Sequence, residues 1–205
     1  SLWTVDRSGR HLSDIQHGPF IGFTAVNYAD GKILWRHTDG RISLWTVDSL
    51  GRHVSDIQYG PFEGFTAINY AGRKILWRHT TGKISLWTVD SQGNYVSDIQ
   101  YGPFEGFTAV NYADGKLLWR HTTGKISLWT VDSLGRHLSD IQHGPFEGFS
   151  AVNYASGKIL WRHRTGKISL WTVDRLGRHV SDIQHGPFIG FTGVNYADGK
   201  ILWRN

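Results

Sequence analysis

Tryptophan followed by arginine occurs at Trp35-Arg36, Trp77-Arg78, Trp119-Arg120, Trp161-Arg162 and Trp203-Arg204. An indole face can stack on the apolar side of a small polar ligand, while a guanidinium donates to its oxygens. Neighbours on a strand point to opposite faces, so Trp from one copy and Arg from the next would meet in a groove between them. A tyrosine or histidine column (Tyr59, Tyr101, His143) and a glutamate column (Glu63, Glu105, Glu147) accompany these pairs. Ile21 and Ile189 take the glutamate position in the other two copies. Aromatic rings beside bidentate polar partners are the chemistry that sugar recognition uses. The candidate binding residues are therefore Trp35, Arg36, Tyr59, Glu63, Trp77, Arg78, Tyr101, Glu105, Trp119, Arg120, His143 and Glu147.

Other chemistries fit less well. The 11 histidines fall in three columns, and tyrosine replaces histidine at Tyr59, Tyr95 and Tyr101. Tyrosine is a poor stand-in for a zinc ligand, so a packing role is expected and no metal. No Ser-His-Asp order, phosphate loop or paired carboxylate motif is visible, so no enzyme is expected and no cofactor. Asn27, Asn69, Asn111, Asn153 and Asn195 interrupt otherwise apolar strands. Buried amides must be satisfied, either in a wet channel or by bonds between neighbouring copies. An axial ion or small ligand is the alternative.

These columns exist because the chain of 205 residues is one segment written five times. Ser1-Leu2-Trp3-Thr4-Val5-Asp6 returns at Ser43, Ser85, Ser127 and Ser169, 42 residues apart. The copies are 1–42, 43–84, 85–126, 127–168 and 169–205. Such close identity implies recent amplification or deliberate construction.

Within a copy, short runs rich in β-branched and aromatic residues alternate with glycine turns. In copy two they are Ile42 to Asp48, His53 to Tyr59, Thr66 to Tyr70 and Lys74 to His79. Ala29-Asp30-Gly31-Lys32 is a hairpin signal. Four strands in about 40 residues, repeated, predict an all-β propeller. The long connection Tyr59 to Phe65 should lead to the inner strand, Thr66 to Ala71. The chain then starts on a third strand and ends on a second. Five blades of four antiparallel strands are expected, the last closed by two strands from each terminus, in a single domain over 1–205. Asp56 and its column should protect the rim strand from edge pairing.

The composition agrees. With 22 Lys and Arg against 17 Asp and Glu, the charge of +5 is spread singly, so no nucleic-acid partner is expected. There is no cysteine and no apolar run of membrane length, so no membrane insertion is expected. No signal segment is visible, and the start at Ser1 reads as a processed or trimmed terminus.

The Gly-bracketed crossing loop from Gly60 to Phe65, followed by Asn69-Tyr70 and Ile75-Leu76-Trp77, resembles the tachylectin-type five-bladed propeller lectins. It is also similar to tandem propeller repeats of bacterial secreted proteins. The resemblance implies a soluble, secreted, multivalent lectin whose partners are glycans held between blades without metal. It departs at Pro61-Phe62 and Gly51-Arg52-His53, where those lectins carry other residues. A symmetric scaffold without ligand, natural or engineered, and a protein-interaction platform are the alternatives. A monomer is expected, with a strand-exchanged oligomer as the variant form.

Overall fold

The computed structural model describes residues 1–205 and consists of strands and turns, with no helix. In the first complete blade the strands are Phe23–Ala29, Lys32–His37, Ile42–Val47 and His53–Tyr59. In the second they are Phe65–Ala71, Lys74–His79, Ile84–Val89 and Tyr95–Tyr101. Both sheets run in chain order, first strand to fourth. The expected runs are thus strands, and the strand after the crossing loop opens each blade. The Asp30-Gly31 turn has φ of 50° and 71°, the double left-handed geometry of a tight hairpin. Farther along the blade, Asp48 Oδ1 accepts the backbone N–H groups of Leu50 and Arg52, both at 2.9 Å. That closes the turn between third and fourth strands.

The chain separates into two compact units. One comprises Ser1–Thr81 with Ser85–Gln100, the other Gly82–Ile84 with Tyr101–Asn205. The first unit holds blade 1, blade 2 apart from Ile84 and Tyr101, and a two-stranded sheet of Leu2–Val5 and His11–Ile15. The second holds a third blade, Phe107–Ala113, Lys116–His121, Ile126–Val131 and His137–His143. Its fourth blade is Phe149–Ala155, Lys158–His163, Ile168–Val173 and His179–His185, followed by a two-stranded sheet of Thr192–Ala197 and Lys200–Arg204.

Within each unit the core lies between blade faces. In the first, Leu34, Ile42 and Leu44 of blade 1 pack on Tyr70, Ile75 and Trp77 of blade 2. In the second, Leu118, Ile126 and Leu128 pack on Tyr154, Ile159 and Trp161. Each such side chain, fully buried, contributes roughly 1.5–3 kcal/mol.

The asparagine column pins blade to blade. Asn27 Nδ2 donates to the Tyr70 carbonyl at 2.7 Å, and the Tyr70 N–H donates to Asn27 Oδ1 at 3.0 Å. Asn111 treats Tyr154 in the same way, and Asn153 treats Tyr196. Of the options open at the sequence level, the bond between neighbouring copies is the one found. A two-way amide bond of this kind satisfies both backbone groups of a buried residue.

The blade count corrects the expectation of five. Four blades carry four strands, and the blade foreseen from two strands of each terminus is absent as a four-stranded sheet. The repeat begins on a third strand, so each end carries half a blade, and each half stands as its own sheet. Their side chains show it. Leu202 is 61% exposed and Trp3 64%, while Leu34, Leu76, Leu118 and Leu160, the counterparts of Leu202, are fully buried.

Candidate ligand-binding site

Strand register gathers one row of side chains on one face of each blade. In blade 1, Trp35 lies opposite Ser43, and Ser43 opposite Gln58. Trp45, two residues after Ser43 and so on the same face, lies opposite Asp56. Two indoles, a hydroxyl, an amide and a carboxylate therefore share one surface. The crossing loop lays Phe20 over it, 5.5 Å from the Trp35 ring and 5.0 Å from the Trp45 ring.

The result is a pocket on the blade. In blade 2 it has a volume of about 450 Å³ and is walled by Phe62, Trp77, Trp87 and Tyr95, with Asp98 and Gln100 on the rim strand. The Trp77 and Trp87 rings are 5.2 Å apart and inclined at 52°. Tyr59, from the rim of blade 1, stands edge-on to Trp87 at 5.3 Å and is fixed by its hydroxyl donating to the Gly93 carbonyl at 2.6 Å. Burial pushes the Tyr59 phenol above its ordinary pKa.

The polar wall is a carboxylate held by neutral donors. Asp98 accepts from the Tyr95 hydroxyl at 2.9 Å, from Ser85 Oγ at 3.3 Å and from Gln100 Nε2 at 3.4 Å. The bond to Asp98 raises the Tyr95 pKa, because losing the phenolic proton would set two anions together. No lysine or arginine lines the pocket.

The arrangement recurs. Blade 1 has a cavity of about 440 Å³ and blade 4 one of about 150 Å³, each with paired tryptophans, a loop phenylalanine, serine, histidine, aspartate and glutamine. Blade 3 repeats the ring cluster through Phe104, Trp119, Trp129 and His137. Histidine replaces Tyr95 in the other three blades and packs at a steep tilt against tryptophan, ring centroids 4.4–4.5 Å apart. One wall carries an unusual cost. The indole N–H groups of Trp35, Trp77, Trp119 and Trp161 are buried without an acceptor.

The structure sorts the candidates from the sequence. Trp35 and Trp77 line the pockets of their blades, Trp119 stands in the blade 3 ring cluster, and Tyr59 lines the blade 2 pocket. Tyr101 sits edge-on to Trp129 and donates to the Gly135 carbonyl at 2.7 Å. His143 sits edge-on to Trp171 and donates to the Gly177 carbonyl at 2.9 Å.

The arginines turn the other way. Arg36 and Arg120 reach the backbone carbonyls of Ala67 and Ala151 at 3.4 Å, and Arg78 is absent from the pocket lining. Alternation does put Trp and Arg on opposite faces, but the guanidinium is taken by the next blade's first strand instead of a groove. Glu63, Glu105 and Glu147 are exposed at the loop tip, and Glu147 lies 4.0 Å from the exposed Arg164. No glutamate lines a pocket.

Sequence reasoning missed the third-strand tryptophans, the loop phenylalanines, and the Ser85, Asp98 and Gln100 columns. The signal was the exchange of His53, Tyr95, His137 and His179, which marks the pocket mouth.

The third histidine column packs beneath the crossing loop. His79 lies 4.7 Å from the Phe65 ring, and its Nδ1 accepts the Thr81 N–H at 3.2 Å. At the far end of the blades, burial lowers the Lys32 and Lys116 pKa values, and each ammonium donates to a threonine, Thr46 or Thr130.

Blades of four antiparallel strands, repeated and without helices, make this chain an all-β propeller. No family model matches the chain, and no curated protein matches it. Among solved structures, human WBSCR16 superposes with a TM-score of 0.56 at 12% identity, over 89% of this chain and 57% of that one. The computationally designed Ika8 protein gives 0.47 at 18% identity, over 86% and 53%. The β-propeller domain of Myceliophteria thermophila Cps50 (Swd1) gives 0.48 at 14% identity, over 90% and 60%. The chain thus spans a little over half the length of these structures, and at 12% identity the likeness to WBSCR16 is one of fold.

Proposed function

We propose that this chain is a multivalent carbohydrate-binding propeller whose sites are the aromatic pockets on its blades. The observation that carries this reading is the half-buried Trp87 indole beside the exposed Asp98 and Gln100, over a floor of buried Trp77 and Ser85, in a cavity of about 450 Å³. That size suits a sugar unit, since ligand pockets run from about 300 Å³ upward. One pyranose face stacks on the Trp87 indole, and its hydroxyls donate to the Asp98 carboxylate and exchange bonds with the Gln100 amide. Similar pockets on several blades would raise weak single-site affinity on a glycan-bearing surface. Secretion fits such a role and belongs to the same proposal.

The test is tryptophan emission titrated with neutral, acidic and amino sugars at millimolar levels, run beside agglutination of glycan-coated beads. A saturable emission change with inhibitable agglutination is expected. Silence across all sugars in both assays would overturn the reading.

A further inference from the structure

We infer that the group these pockets take from a glycan is a protonated amine, so that the ligands are glycans with free amino sugars. The inference rests on the carbohydrate reading and names the ligand's chemical class. It starts from a charge imbalance. The chain carries a net charge of +5, yet the blade 2 pocket is lined by one carboxylate, Asp98, and by no cation. The donors to Asp98 are a phenol, an alcohol and an amide, all neutral. The pockets of blades 1 and 4 carry Asp56 and Asp182 without lysine or arginine, but there a histidine, His53 or His179, sets its Nε2 3.7 or 3.8 Å from the carboxylate, so blade 2 shows the imbalance most plainly.

The surrounding rings favour a cation as well. An ammonium within about 6 Å of an indole face is attracted by the ring quadrupole, by roughly 0.5–2 kcal/mol according to its desolvation. Trp87, Phe62 and Tyr95 present three rings to one small volume, backed by the buried Trp77, with the carboxylate beside them. A neutral hydroxyl would use the rings and leave the exposed carboxylate to water and its three neutral donors. A protonated amine on the sugar ring uses both, and the sugar's apolar face still stacks.

The experiment is calorimetric titration of the whole chain, near neutral pH, with a glucosamine tetramer, its fully N-acetylated counterpart and tetramethylammonium. The wild type is compared with a chain carrying Asp56→Asn, Asp98→Asn, Asp140→Asn and Asp182→Asn, its fold checked by circular dichroism. The amine tetramer should bind about tenfold more tightly than the acetylated one, the scale of one charge-assisted contact. That preference should shrink at high salt and vanish in the asparagine chain.

Equal binding of both tetramers, unaffected by salt, would overturn the amine inference and leave the carbohydrate reading standing. Binding of tetramethylammonium alone would overturn the carbohydrate reading and keep a cation pocket. No binding of any probe would overturn both. Should the asparagine chain misfold, the salt dependence of the wild type decides between charge and neutral recognition.

Discussion

The Tyr95 hydroxyl donates to Asp98 Oδ1 at 2.9 Å, and in the other three complete blades a histidine stands in the place of that tyrosine. There, Nε2 of His53, His137 and His179 lies 3.7, 4.0 and 3.8 Å from the matching aspartate. One blade thus anchors its carboxylate by a short phenolic bond, while three hold it beside an imidazole. If the bond raises the Tyr95 pKa, Asp98→Asn should lower it. In a spectroscopic pH titration of tyrosine, the variant should lose a late-titrating exposed phenol. Superimposable curves would contradict the assignment.

The amide pins between blades should carry measurable stability. Asn153 is 8% exposed and bonds both the N–H and the carbonyl of Tyr196. Asn153→Ala leaves both groups without partners, and the expected loss is about 2–4 kcal/mol. Asn153→Asp keeps the shape and the acceptor but loses the donor, so it should also destabilise. Urea midpoints that match the parent chain for both variants would count against the pin.

The crossing loop depends on its second glycine. Gly64 has φ of +73°, and a Cβ there would sit 2.3 Å from His79 Nε2. Gly64→Ala should destabilise by at least about 1 kcal/mol, from the left-handed backbone alone. The displaced imidazole would also loosen the tilted contact of His79 with Phe65, ring centroids 4.7 Å apart. Differential scanning calorimetry should show a lower Tm; an unchanged or higher one would refute the close packing.

Alkaline pH offers a separate handle on the core. Burial pushes the Tyr70 and Tyr154 hydroxyls from a pKa of about 10 up to about 12. The folded chain therefore keeps protons that the unfolded chain gives up. Their contribution is complete below about pH 10 and is lost as pH rises through about 12. Denaturation midpoints should fall across that window, and less steeply for Tyr70→Phe. A flat profile above pH 10 would contradict it.

Much of the fold was legible because its causes are local. The hairpin at Asp30-Gly31 and the alternation in the strands need only near neighbours. So does the identification of the strand after the crossing loop as the first of each blade. Blade number was less legible, since counting copies assumes that the half-blades at Leu2 and Trp203 join into one sheet. The site was legible in part. Trp77 and Tyr59, named from residue type, do line the blade 2 pocket, but Arg78 was placed with them on the assumption that two blade faces share a groove. Asp98 was read as a guard on an exposed edge, and that strand is indeed exposed. Its place beside Trp87 depends on the pairing of third with fourth strands, which sequence spacing alone does not supply. Phe62 was hidden for a similar reason, because a loop residue's landing point follows from the blade beneath it.

The most direct test of the central claim is the number of sites per chain, read by calorimetry with the best ligand from the sugar panel. The two sugar-sized pockets, of about 440 and 450 Å³ in blades 1 and 2, lead us to expect a stoichiometry of at least two. Trp87→Ala, with folding checked, should lower it by one. A single site, or a stoichiometry that Trp87→Ala leaves untouched, would contradict the claim that the repeated aromatic pockets are the binding sites.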